Sequence, residues 1–144
     1  TWGPVKMKGL PGLIRLHQWK VDEQRRKVTE LEILSDQLAG QLSDLQADID
    51  REGRNSGDDL DSSRAFSAFL KGALERRDRL QGSIEELKRE ISDAKDALAD
   101  AYRELKSYEV AQANRDRRDA KKRELRERIK MDEIGLGMYR RQAS

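Results

Sequence analysis

Residues 66–108 read FSAFLKGALERRDRLQGSIEELKREISDAKDALADAYRELKSY. Alternating steps of four and three from Phe66 land on Leu70, Ala73, Arg77, Leu80, Ile84, Leu87, Ile91, Ala94, Leu98, Ala101, Leu105 and Tyr108. Twelve of these thirteen positions are apolar, with Arg77 the exception. A heptad pattern of this length marks a helix that buries one narrow seam against another helix, not a helix on the face of a globule.

The same pattern occurs earlier in the chain. From Leu10 it runs through Ile14, His17, Val21, Gln24, Val28, Leu31, Ser35, Leu38, Leu42, Leu45 and Ile49. Nine of these twelve are apolar. The two series are separated by residues 51–63, REGRNSGDDLDSS, whose Gly, Asn and Ser residues favour a turn. Asp59 or Asp61 is placed to cap the following helix. The expected fold is therefore all-α: an antiparallel two-helix coiled-coil hairpin whose second helix is the longer.

Composition agrees with this reading. Of 144 residues, 40% are charged and 35% hydrophobic, too polar for a compact single-core globule. The 30 basic and 28 acidic residues leave a net charge of only +2, so bulk charge names no partner. Cysteine is absent, which excludes disulfides, thiolate metal sites and a cysteine nucleophile. No apolar run approaches the ~18 residues of a membrane span, and no secretory signal is expected, since no charged segment precedes an apolar one near the start.

The expected boundaries are a leader or added segment at 1–7, a first helix at 8–52, a turn at 53–59, a second helix at 60–134 and a flexible tail at 135–144. Gly135 and Gly137 provide the expected helix stop. With the turn centred at residue 56, facing residues have numbers that sum to about 112. Ile14 then meets Leu98, Val21 meets Ile91, Val28 meets Ile84, Leu42 meets Leu70, and Ser35 meets Arg77. Pairing runs to about 102–108, and the rest of the second helix is an overhang.

Little here supports catalysis. There is one histidine, and no nucleotide-binding, zincin or serine-nucleophile string occurs. The dispersed carboxylates lie along helices that offer no enclosed pocket to tune them. His17, at a seam position, reads as a packing residue. Asp48, Asp50, Glu52, Gly53 and Asp59 fit an EF-hand loop only imperfectly, since Glu52, Asn55 and Asp59 depart from the residues expected at their positions. No enzyme activity, cofactor or metal is expected.

Charge is distributed unevenly. Residues 114–130, NRDRRDAKKRELRERIK, hold nine basic and four acidic residues; residues 15–27 hold five and two. The turn region, 48–61, is acidic, with six acidic and two basic residues. The basic stretch is either a solvated helix held by pairs such as Glu124–Arg128 and Arg123–Glu127, or a docking surface for an acidic partner. Nucleic acid is disfavoured, because no aromatic residues interleave for stacking and four acidic residues interrupt the run.

The opening LPGLIRLHQWKVDEQRRK at residues 10–27, the turn near 56, the segment AYRELKSYE at 101–109 and the late basic stretch closing on Met131-Asp132-Glu133-Ile134 together resemble the flagellar FliJ family, in particular its alphaproteobacterial members. The resemblance implies a non-enzymatic stalk and adaptor of the flagellar type III export apparatus. Its partners would be the hexameric export ATPase, a membrane export-gate protein and export chaperones, with no nucleic acid. Its place would be the cytoplasm, peripherally on the inner membrane at the flagellar basal body. The expected ATPase-ring residues are Leu13, Arg15, Lys20, Arg25, Arg115, Arg117, Arg118, Lys121 and Lys122. The expected gate residues are Leu38, Leu42, Leu45, Ile49, Phe66, Leu70, Ala73 and Arg77, together with Phe69 as a nearby aromatic. Most of the gate positions are also seam positions, so holding the hairpin together is the competing role for them. The alternatives to the whole reading are a generic coiled-coil scaffold or tether and, third, a basic nucleic-acid-binding hairpin.

Overall fold

The computed structural model describes residues 9–143. The expected leader at 1–7 lies outside the described residues, as does Ser144. Two helices account for nearly all of them: α1, Gly9–Asn55, and α2, Leu60–Ala143. They pack on each other as a helical hairpin, as the two heptad series predict.

The ends have local causes. α1 opens with Gly9 at φ 79° and Pro11 in the first turn, where a missing backbone N–H breaks no helical hydrogen bond. It continues three residues beyond the expected end, through Gly53 to Asn55. Asp59 caps α2: its Oδ2 accepts from the Ser62 backbone N–H at 3.4 Å, and its carbonyl accepts from the Ser63 N–H at 3.1 Å.

At the other end the expectation fails. α2 passes Gly135 and Gly137 without a break and reaches Ala143, so 135–143 is helix where a tail was expected. Neither glycine adopts the positive φ that a C-terminal glycine cap needs. A glycine inside a helix costs only about 1 kcal/mol relative to Ala, so two of them do not end a long helix.

The chain divides into two compact units, residues 20–101 and, among the described residues, 9–19 with 102–143. In the first unit the two helices run antiparallel, with Val21, Val28, Leu45, Ala73, Leu87 and Ala94 buried between them. Every seam position in this unit is buried or half-buried, including polar Gln24, Ser35 and Arg77. The charged residues occupy the outer faces in short-range pairs, such as Arg26–Glu23 at 2.7 Å and Lys88–Glu85 at 3.2 Å. One pair, Lys95–Glu32 at 3.6 Å, joins the helices.

The alignment of the helices corrects the sequence expectation. Phe66 lies beside Gly53, with a ring carbon 3.5 Å from where a Gly53 Cβ would stand. Gln24, Lys27 and Leu31 share a surface cavity with Glu90, Asp93, Ala94 and Ala97. Facing numbers therefore sum to about 121, a slip of about nine residues from the expected value, or ~14 Å of helix. By that sum Val28 faces the stretch around Asp93 and Ala94 rather than Ile84. Arg77 shares a cavity with Leu42 and Gln46 rather than meeting Ser35. The cause lies in the loop. Residues 56–59 do not close a tight turn but carry the chain past the end of α1, so α2 begins beyond it. The first six residues of α2 make up that excess.

In the second unit the seam continues through Leu10, Ile14 and His17 of α1 and Leu105, Tyr108 and Gln112 of α2, all buried or half-buried. Beyond Gln112 every described residue except Ala120 and Gly137 is exposed.

Candidate functional site

Two surfaces carry the residues that the sequence singles out, one on each unit. The first is the turn end of the 20–101 unit. Phe66 and Phe69 stand one helical turn apart on α2, with ring centroids 6.5 Å apart and planes inclined by 34°. Phe66 is half-buried over Gly53, whereas Phe69 is exposed. Together with Glu52, Asn55, Ser56, Ser62 and Ala65 they line an open cavity of about 360 Å³. Leu60, which the heptad frame does not reach, is 65% exposed nearby at the first position of α2.

Acidic residues surround this end. Asp48 pairs with Arg51 on the last turns of α1, and Asp59 is engaged by the Ser62 hydroxyl and N–H. Those hydrogen bonds hold the Asp59 carboxyl below its ordinary range. Asp48, Asp50 and Glu52 lie on helix α1 rather than in a loop. Among the described residues no cluster of three or more His, Asp and Glu is arranged to hold a metal ion.

The remaining expected gate residues lie in the interhelical seam. Leu45 and Ala73 are buried, while Leu38, Leu42, Ile49, Leu70 and Arg77 are half-buried. While the helices stay paired, Leu45 and Ala73 face the opposite helix. Phe69 is the member of the set whose side chain is open to a partner.

The second surface belongs to the other unit. Arg115, Arg117, Arg118, Lys121 and Lys122 are all exposed on α2, beyond the end of the seam. Arg117 donates to Asn114 Oδ1, and Asn114, Arg117, Arg118 and Lys121 border a shallow cavity of about 290 Å³. No ion pair among the described residues holds Arg115, Arg118, Lys121 or Lys122. The expected Glu124–Arg128 and Arg123–Glu127 pairs are not formed either; exposed helical pairs are worth ~0.5 kcal/mol or less, too little to order four long side chains. On α1 in this unit, Leu13 is half-buried and Arg15 exposed. Lys20 and Arg25 belong to the 20–101 unit, where both are exposed and Arg25 lies 3.6 Å from Asp22. The expected ring residues are thus divided between the units.

His17 is the buried polar side chain of the second unit, 6% exposed. It stacks on Tyr108 at 4.6 Å between centroids, and its Nδ1 lies 3.3 Å from Glu104 Oε2. Sequence reasoning placed His17 in the seam but could not name Tyr108 as its partner, because the expected alignment was about nine residues off.

Sequence reasoning also missed a row of exposed apolar residues that starts within the basic stretch and runs past it: Leu125, Ile129, Leu136 and Tyr139. Extending the paired frame unchanged lands on Arg126, Ile129, Glu133 and Leu136, which sees only half of the row. A step of three at Lys122, where the frame has four, recovers it.

Among the described residues no helix is long and apolar enough to cross a membrane. No solved structure matches the chain. A curated flagellar FliJ protein of Caulobacter vibrioides strain NA1000 is 26% identical over 129 residues, spanning 90% of this chain and 93% of that protein. The FliJ protein of a second strain of the same species matches equally. The model of the family described as flagellar FliJ protein matches residues 7–144. A match of that extent, on a two-helix hairpin with the expected seam, places this chain in the flagellar FliJ family.

Proposed function

We propose that this protein is a non-enzymatic stalk and adaptor of the flagellar type III protein export ATPase. Its basic α2 segment enters the hexameric ATPase ring and promotes ring assembly. Its turn end meets the membrane export gate through Phe69 and the adjoining cavity, and the protein also serves export chaperones. Family membership supports the flagellar setting. The observation that carries the ring assignment is the exposure of Arg115, Arg117, Arg118, Lys121 and Lys122 on a helix that no described segment of this chain covers. Such a cationic surface is drawn to carboxylates and to the negative ends of partner helices, and exposed charges of this kind govern association rate and salt dependence.

The test is ATP hydrolysis by the export ATPase, titrated with native protein and with the Arg117→Glu, Arg118→Glu, Lys122→Glu variant at two ionic strengths. The native protein stimulates hydrolysis, less so at high salt, and the variant loses the stimulation. The fold is retained, since none of the three touches the seam. Equal stimulation by both proteins at both salts removes the ring assignment.

A further inference from the structure

At about 100° per residue, Leu125, Ile129, Leu136 and Tyr139 fall within an arc of about 80° on α2. They are 55%, 48%, 56% and 71% exposed. Their spacing is a heptad seam in which Asp132 holds the one intervening position. The row is rotated from the seam that pairs α2 with α1, and no described segment of this chain covers it.

The positions beside this row, where paired coiled-coil helices place their charges, are occupied by Arg126, Glu133 and Arg140 on one side and Lys121, Arg128 and Gly135 on the other. Four of the five charged residues there are basic. In a two-helix seam these positions select the partner by opposite charge. A second copy of this chain, aligned in parallel, would set Lys121 against Arg126, a like-charge contact, and Arg128 against Glu133, an opposite-charge one, so self-pairing gains nothing net from its flanks, whereas acidic flanks would meet four of the five charges favourably. A membrane surface calls for one broad apolar face. Here Met131, Ile134 and Met138 lie on the opposite side of the helix and are as exposed as the row itself, so no single broad face exists.

We propose that residues 122–140 form one strand of an intermolecular coiled coil whose other strand is a helix of a different protein, apolar at its core positions and acidic at its flanks. The contact goes beyond ring docking. It uses the apolar row, which lies further along α2 than Arg115, Arg117 and Arg118 and adjoins the basic segment at Lys121 and Lys122, and it stands whether or not that segment enters a ring. Asp132 makes the row incomplete, so the native pairing is weaker than the spacing allows and its alignment is constrained by one polar position.

The probe is a fluorescent four-heptad peptide with Leu at both core positions and Glu at both flanking positions, titrated with the full chain and read by anisotropy. A control peptide carries Lys at the flanks. The acidic peptide is expected to bind at least ~10-fold more tightly than the basic one, as flank charges set partner choice. Ile129→Glu with Leu136→Glu weakens acidic-peptide binding ~10-fold or more, with helical content retained because both side chains already face water. Asp132→Leu completes the row and tightens binding ~10-fold, the effect of roughly one buried apolar side chain. Four results overturn the proposal: no binding of the acidic peptide, equal binding of both peptides, self-association of the native chain that the double Glu variant abolishes, or binding to phosphatidylglycerol vesicles with the same dependence on the row. None of these arms involves the ATPase, so failure here and failure of ring docking are separate outcomes.

Discussion

His17 of α1 stacks face to face on Tyr108 of α2, with 4.6 Å between ring centroids and 28° between planes, while Glu104 approaches the imidazole at 3.3 Å. The one histidine of the chain is thus a packing residue between two helices, and its ring and Tyr108 together fill a layer that Leu10, Ile14 and Leu105 continue. Replacing His17 by Ala is expected to destabilise the hairpin by about 1–2 kcal/mol through the lost stack and buried area. Phe at this position keeps the stack and recovers most of that loss. Urea melts followed by circular dichroism separate the two variants; equal destabilisation by both would mean that the imidazole's contact with Glu104 outweighs the stack.

The alignment of the helices is checked by cysteine pairs in this otherwise cysteine-free chain. Val28→Cys with Ala94→Cys is expected to join within the chain on mild oxidation, whereas Val28→Cys with Ile84→Cys does not, because bridging needs Cα atoms within ~7 Å. Gel mobility with and without reductant reads the outcome. Joining at 84 but not at 94 would restore the alignment that simple loop arithmetic suggests.

Asp59 makes the start of α2 sensitive to acid. Its folded-state pKa is depressed by hydrogen bonds from Ser62, so its contribution is complete above the ordinary carboxyl value of 3.8 and is lost as pH falls through the lowered folded value. Asp59→Ala should lower the melting temperature at pH 7, by an amount that shrinks as pH falls below 3.8. A difference between variant and native protein that persists undiminished at pH 2 would show that the cap works without its charge.

Gly72 and Gly82 lie inside α2 with nothing within 4 Å of where an added methyl group would stand, and neither has positive φ. Gly72→Ala and Gly82→Ala should each stabilise the protein by about 0.5–1 kcal/mol, since the helix loses a flexible residue and meets no clash. Thermal melts of the double variant should move up by several degrees. An unchanged or lower midpoint would mean that these glycines permit a bend or an approach that the paired helices need.

Phe66 and Phe69 are neighbours with different tasks. Phe66→Ala is expected to cost ~2 kcal/mol or more of stability, because its half-buried ring covers Gly53. Phe69→Ala is expected to leave stability within ~0.5 kcal/mol but to weaken binding of the export-gate protein by at least ~10-fold if Phe69 is the anchor. Paired melts and binding titrations on the two variants decide it; gate binding untouched by Phe69→Ala would remove the turn end from the interface.

Sequence alone determined the periodic features. The steps from Leu10 to Ile49 and from Phe66 to Tyr108 name every seam position but Gln112, because heptad burial depends only on residue spacing along one helix. The turn and the Asp59 cap were legible for the same reason, as both are set by residues within four of each other. Only the tertiary structure decided how far one helix slides along the other. That depends on how far the loop residues climb beyond α1 and on which side chains interlock, and it brought Tyr108 onto His17. It also decided which apolar residues are open. Leu45 and Phe69 were both candidate contacts in sequence, one on the heptad seam and one off it; the structure buries Leu45 inside the helix pair and leaves Phe69 exposed. The row from Leu125 to Tyr139 was present in the sequence but rotated out of the frame that pairs the helices, and its exposure became evident once α1 was seen to reach no further along α2 than Gln112.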